Sequence, residues 1–375
     1  MVLVLGTLVM GGAEAQLASV LEADPRELDR IHLTILTLTT YQEPAIVERL
    51  EALRVPVVTI DRESMRFPAY LLALVRFFRR ECPDLVHTFL TGSTGTWGRV
   101  SARLAGVPRV MHSDLSLTPV YTVTRTQRLL TPLVNVLTDR FLPNATAIAE
   151  RLERQGVPRR KIVLVRNGVD VERFDPGRAR SLRPAWGVPD DAVVAGFLGM
   201  LRRVKRPDLL LDAVQALPPE RRPDYVVLAG DGELMPALRR RVEGDPWLRE
   251  RCRLLGVVAD APSFLRSVDF LVLSSDTEGL PNAVLEAMAM ARPCVATRVS
   301  DVPFLLDDDR WLVEPGDAEG LATAIARMSA LPPEERGAMG SALQARARAE
   351  FSIDRAAAAF WRAHHELLPG GGGGS

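Results

Sequence analysis

The sequence predicts an α/β protein of two successive Rossmann-like domains, each a parallel sheet wound with helices. Three observations carry this. The 375 residues exceed what one small core needs and fit two domains of ordinary size. Short β-branched or apolar runs alternate with longer helical patterns, which is the order of a parallel βα sheet. That alternation breaks once, near Asn167-Gly168, and then begins again. A composition of 47% hydrophobic and 25% charged residues supplies enough apolar surface for two cores.

In the first half the strand-like runs are Val2–Leu5, Ile31–Leu38, Val55–Ile60, Leu85–Thr88 and Arg109–His112. In the second they are Val193–Leu198, Tyr225–Leu228, Cys252–Leu255, Phe270–Leu273 and Cys294–Ala296. The turn Arg166–Asp170, the Pro176-Gly177 break and the loop-like stretch Arg178–Pro189 mark the linker region. The expected organisation is therefore an N-terminal domain 1–166, a C-terminal domain 167–352, a final helix 353–367 and a glycine-rich, flexible tail 368–375. The final helix has Phe360 and Trp361 as apolar anchors and needs a partner surface, because a helix this short is marginal alone.

Lys+Arg and Asp+Glu both number 47, so the overall field gives no reason to expect a nucleic acid partner. Cys82, Cys252 and Cys294 have no metal-ligand spacing, which points to reduced thiols in a cytoplasmic protein without a structural disulfide or zinc. Met1–Met10 is apolar but lacks a basic flank, so it is expected to be a first strand and not a signal peptide. No apolar run approaches the roughly 20 residues that span a bilayer. Among the 47 basic residues only Lys161 and Lys205 are lysines.

The strongest chemical signal is the run from Glu278 to Ala289, directly after the strand-like Phe270–Leu273 and Ser274-Ser275. A helix beginning at Pro281 or Asn282 would point its first amides, and the positive end of its dipole, at the crevice beyond the strand ends, where a phosphate is favoured. Glu278 lies in the loop ahead of that helix. Glu286 sits about one turn in, and helical side chains lean toward the N-terminus, so its carboxylate approaches the same ligand. By themselves two glutamates at this spacing are as readily a solvated pair.

With its surroundings, this block resembles the retaining glycosyltransferases of glycosyltransferase family 4, which have the GT-B fold. Further matches in family order are Gly11-Gly12-Ala13-Glu14 after the first strand, Pro83–His87, Asn167–Asp170 and Gly230-Asp231-Gly232-Glu233. The resemblance implies two Rossmann-like domains facing across a cleft, with the C-terminal helix returning to the N-terminal domain. It implies transfer of a sugar from a UDP- or GDP-linked donor to a glycan or lipid-linked acceptor of a bacterial cell envelope, without a cofactor. By the same resemblance Glu278 contacts the donor sugar and Glu286 the ribose hydroxyls, the helix start at Pro281 and Asn282 stabilises the departing diphosphate, and Gly279 and Leu280 belong to the donor site. Gly11, Gly12, Gly199, Gly230 and Val258 line the donor site as well.

The family's Gly-Arg-x4-Lys segment corresponds to Gly199–Lys205, in which Lys205 fits and Met200 replaces the arginine. Arg202 or Arg203 is expected to supply the missing charge. The family histidine falls by spacing at Asp114, and an alignment shift would put His112 there, so both are candidate catalytic residues. For His112 the plainer alternative is a strand-end histidine satisfied by backbone.

No Asp-x-Asp box follows a strand, and Asp307-Asp308-Asp309 has the character of a solvated turn, so metal-independent catalysis is expected. Residues 62–80 hold five arginines against one acid, interleaved with Phe67, Tyr70, Leu74 and Phe77. They form either a core helix with a basic outer edge or a peripheral contact with the inner face of an anionic membrane. The competing functional readings are a non-catalytic nucleotide-sugar-binding protein and a GT-B sugar-nucleotide epimerase. A nicotinamide dehydrogenase lacks support, because no G-x-G-x-x-G is present.

Overall fold

The computed structural model describes residues 1–8, 11–90, 92–117 and 124–368. The chain divides into two compact units between Gly168 and Val169, where 166 and 167 were expected, and the residues from Ile353 onward belong to the first unit. Of the expected tail 368–375, residues 369–375 lie outside the described residues.

In the first unit β1 (Val2–Leu5), β2 (Thr34–Thr37), β3 (Val57–Thr59), β4 (Leu85–Phe89), β5 (Arg109–Ser113) and β6 (Arg140–Phe141) form a sheet in the order β3-β2-β1-β4-β5-β6. Every pairing is parallel. In the second unit β7 (Val194–Leu198), β8 (Tyr225–Ala229), β9 (Cys252–Leu254), β10 (Phe270–Leu273), β11 (Cys294–Thr297) and β12 (Leu312–Val313) repeat that plan in the order β12-β11-β10-β7-β8-β9. These pairings too are all parallel. In each sheet the strand order reverses between the first strand and the fourth, β1 beside β4 and β7 beside β10. The crevice beyond the carboxyl ends at such a point is where doubly wound folds bind ligands.

Both faces of each sheet are covered by helices, so the central strands are largely apolar and their alternate residues enter different cores. Val194 and Val227 pack with Phe264 and Val284 on one face. Ala195, Phe197, Val226 and Leu228 pack with Leu210 and Ile325 on the other. The first unit does the same, with Leu3 and Leu5 in one cluster and Val2 and Val4 in another. The edge strands β6 and β12 have two residues each, too short to show a period in the sequence.

The helix Phe67–Glu81 buries Tyr70, Leu74, Val75, Phe77 and Phe78, while Arg76, Arg79 and Arg80 face outward. Most of its apolar side chains thus cover the sheet, and Phe67 and Leu72 stay exposed. No helix of the described residues is long and apolar enough to cross a membrane. The three cysteines are free, with Cys252 and Cys294 buried.

The final helix, Ile353–His365, buries Ala357, Phe360 and Trp361 in the core of the first unit, against the helix Gly12–Ala23. A buried polar chain crosses this contact. His364 Nδ1 faces the Phe360 carbonyl at 2.7 Å, so it carries the ring proton, and Nε2 accepts from His87 Nδ1 at 2.9 Å. His87 Nε2 is then left to accept from the Ser113 hydroxyl at 2.8 Å. Burial holds both histidines uncharged, His364 at about 4 and His87 well below the ordinary imidazole range.

Candidate functional site

In the second unit the loops after β7 and β10 meet at the strand-order reversal. Lys205 Nζ donates to both carboxylate oxygens of Glu278, at 2.6 and 2.7 Å, and the Ser275 hydroxyl donates to Glu278 Oε1 at 2.6 Å. Glu278 is buried and Lys205 is part-exposed, so the ammonium is the member of the pair that meets solvent. The surrounding backbone fixes this pair. Ser274 Oγ donates to the carbonyls of Lys205 and Arg206, at 3.1 and 2.8 Å, and the Asp276 amide donates to the Val204 carbonyl at 2.9 Å. Arg206, in the left-handed region at φ 50°, is clamped by Asp208 and Asp276.

The loop 199–206 rests on a second one, 230–233. Gly199 N donates to the Ala229 carbonyl (3.0 Å), Leu201 N to the Asp231 carbonyl (2.9 Å) and Leu234 N to the Leu201 carbonyl (3.0 Å). The approach leaves no room for a side chain. A Cβ on Gly230, whose φ is 140°, would stand 1.9 Å from the Gly199 carbonyl oxygen, and one on Gly232 would stand 2.7 Å from that of Leu201. Glu233 Oε1 accepts from the Arg203 amide at 3.1 Å. The Gly230–Glu233 motif is thus a support that presents the lysine loop, a role its sequence alone did not reveal.

Arg202 and Arg203 are exposed, and neither guanidinium has a partner among the described residues, so both are free to meet an anion. Met200 is part-buried. The helix Asn282–Ala289 has Pro281 in the cap position, with Gly279, Leu280 and Pro281 buried behind Glu278. Glu286 keeps an accessible edge, yet the atoms packed about it push its carboxyl up to about 7, with Arg173 opposing. Val258 packs part-buried against the same core.

The remaining candidates lie in the first unit. Gly11 caps the helix Gly12–Ala23, which follows β1 at the other strand-order reversal. His112 lies buried one residue before the end of β5, its Nδ1 within hydrogen-bonding distance of the Thr88 hydroxyl (2.9 Å) and carbonyl (3.1 Å), and burial holds its pKa well below the ordinary value. Asp114 accepts from Arg151 at 2.5 Å. In the second unit Asp308 pairs with Arg310 and Asp309 with Arg298. Among the described residues no group of three His, Cys, Asp or Glu side chains is arranged to hold a metal ion. Ser274, Ser275 and Arg206 were not singled out as functional from sequence; the serine pair directly after β10 was the available signal.

Residues 10–173 match the family described as glycosyltransferase family 4, and residues 192–330 match the one described as glycosyl transferases group 1. The chain is 28% identical over 303 residues to an Escherichia coli UDP-Gal:α-D-GlcNAc-diphosphoundecaprenol α-1,3-galactosyltransferase, covering 78% of this chain and 77% of that protein. It is 33% identical over 244 residues to a D-inositol 3-phosphate glycosyltransferase of Saccharomonospora viridis, covering 61% of this chain and 56% of that protein. The fold is similar to that of HepE from Anabaena, crystallised with UDP and glucose, with a TM-score of 0.82, 20% identity and 97% and 99% of the two chains covered. It is also similar to that of a sucrose-phosphate synthase from Thermosynechococcus elongatus, with a TM-score of 0.76, 18% identity and 98% of each chain covered.

Proposed function

We infer that this chain, which belongs to the family 4 glycosyltransferases with the GT-B fold, moves a hexose from a UDP- or GDP-linked donor to an acceptor hydroxyl with retention at the anomeric carbon. The observation that carries the reading is the Lys205–Glu278 pair at the β7/β10 reversal, braced by three loops. A donor brings two phosphates, which compete with Glu278 for Lys205. Glu278, freed from the ammonium, then has its acceptor oxygens available for sugar hydroxyls. Arg202, Arg203 and the helix start at Asn282 add positive potential for the departing diphosphate.

The acceptor oxygen forms its bond to the anomeric carbon on the face from which the diphosphate leaves, and its proton passes to a phosphate oxygen. No protein nucleophile and no metal enters that scheme, so the work of the chain is electrostatic. The two sequence relatives are named for acceptors that are phosphorylated rings, one a cyclitol phosphate and one a sugar on a lipid diphosphate, and we assign this chain an acceptor of that class.

Donor turnover in the absence of acceptor tests the enzyme against a binding module. The full chain with excess EDTA should release free sugar slowly from a UDP- or GDP-linked hexose. Binding without release, with acceptor present or absent, would favour the non-catalytic reading, and activity restored only by magnesium would refute the metal-free scheme.

A further inference from the structure

In the first unit a pocket of about 180 Å³ opens at the carboxyl end of β5, between the helices Ser93–Leu104, Arg125–Val136 and Thr146–Arg154. Its wall holds Arg99, Asp114, Asn135 and Arg151, with the exposed Arg128 at its mouth. Arg99 is only 5% exposed. It donates to the Gly95 carbonyl (2.5 Å), the Asn135 side chain (3.3 Å) and the Thr138 hydroxyl (3.0 Å), and no carboxylate of the described residues bonds it. Burial draws its pKa down to about 9 against the field of Asp114. A guanidinium held dry without a counterion is costly unless something anionic joins it.

The pocket also holds polar atoms that no described residue bonds. Asp114 is 4% exposed and Asn135 8%, yet Asp114 Oδ1, Asn135 Nδ2 and Arg151 Nε are buried without hydrogen-bond partners among the described residues. Native structures seldom leave such groups unmet, and they mark places where a further molecule belongs. The Arg128 guanidinium has no partner among the described residues. Three guanidinium groups therefore share one carboxylate, and the unmet atoms include both an acceptor and donors.

An inorganic anion answers the arginines but brings little to the free Asp114 oxygen. A neutral sugar answers Asp114 and Asn135 but leaves Arg99 without a counterion. A hydroxylated ring carrying a phosphate answers all of them. At roughly 30 Å³ per water the space holds several waters, and so suits one six-membered ring. We propose that this pocket binds a hexose or cyclitol phosphate, its phosphate on Arg99 and Arg128 and its hydroxyls on Asp114 and Asn135.

The proposal deepens the transferase reading, since the acceptor's ring and a free sugar phosphate share this chemistry. Calorimetric titration of the full chain with myo-inositol 1-phosphate, glucose 1-phosphate, inorganic phosphate and glucose tests it without catalysis. One of the ring phosphates should bind at least roughly tenfold more tightly than phosphate or glucose, and Asn135→Ala and the surface variant Arg128→Ala should each weaken it by roughly tenfold, the scale of a charged hydrogen bond. Adding a sugar nucleotide then separates the sources, because an acceptor is consumed and a free ligand is not.

Titrating UDP and GDP into the same samples reports whether each variant is folded. It also separates the two claims, because a chain that binds a ring phosphate but no nucleotide refutes the donor reading alone. Equal affinity for phosphate and ring phosphates, no binding of either, or binding untouched by both substitutions would overturn the pocket assignment.

Discussion

Lys205 is one of two lysines among 47 basic residues, and its ammonium, paired with Glu278, is the group proposed to meet the donor diphosphate. Removing one such preorganised donor costs on the order of 3 kcal/mol of barrier, about a hundredfold in rate. Lys205→Ala should therefore lower turnover by about that factor in a steady-state assay, and an unchanged turnover number would remove the lysine from the chemistry. Glu286 gives a second residue-scale prediction. Its carboxyl titrates at about 7, so near neutrality much of it is protonated, and only the ionised form offers both oxygens to a ribose diol. The affinity for a sugar nucleotide, whose diphosphate diester has no group titrating there, should rise with pH and be roughly tenfold weaker at pH 6 than on its alkaline plateau. Glu286→Gln should flatten that profile; a profile that falls with pH would mean that the acid binds in its protonated form.

The final helix illustrates how elements are held by chemistry that a linear reading does not display. Its apolar anchors, Phe360 and Trp361, were visible in the sequence, and so was its need for a partner. The His87–His364 contact was not, because the two residues are far apart in the chain and the Pro83–His87 motif names no partner for its histidine. Folded His364 titrates near 4 and His87 lower still, whereas the unfolded chain takes up protons near 6.5. The stabilisation is complete above pH 6.5 and is lost as the pH falls toward 4, by an amount on the order of a few kcal/mol. Urea unfolding at pH 7.5 and pH 5 should show that loss, and His364→Asn should narrow the gap; an unchanged gap would place the acid sensitivity elsewhere. The same contrast runs through the site. Strands buried on both faces announce themselves as apolar runs, so ten of them were expected near where they lie, while β6 and β12 were too short to register. The helix at Asn282 was legible from the strand and turn ahead of it, and Glu278 and Lys205 were singled out through the family resemblance. The bracing by Ser274, Ser275 and Arg206, and the closeness of Gly230 to Gly199, depend on loops meeting from separate strands, which spacing does not encode.

At the scale of the whole molecule, one strand order is used twice, and each copy brings a helix start or a charged loop to its own reversal point. The two units differ in what they offer there. The second presents an ammonium, free arginines and two carboxyls, which the proposed donor site would use. The first presents the Gly11-Gly12 helix start and, beside β5, a pocket rich in arginine. The central claim is that the second unit is a nucleotide-sugar site built on Lys205. Thermal unfolding of the full chain and of Lys205→Ala, across uridine, guanosine and adenosine diphosphates and their sugar conjugates with EDTA present, tests it most directly. A ligand at about 100 times its dissociation constant adds roughly 2.7 kcal/mol, enough to move the midpoint by a few degrees. The account predicts a rise selective for one nucleobase in the unsubstituted chain, largely lost in Lys205→Ala. An unfolding midpoint unmoved by every nucleotide, or a rise that survives the substitution intact, would contradict it.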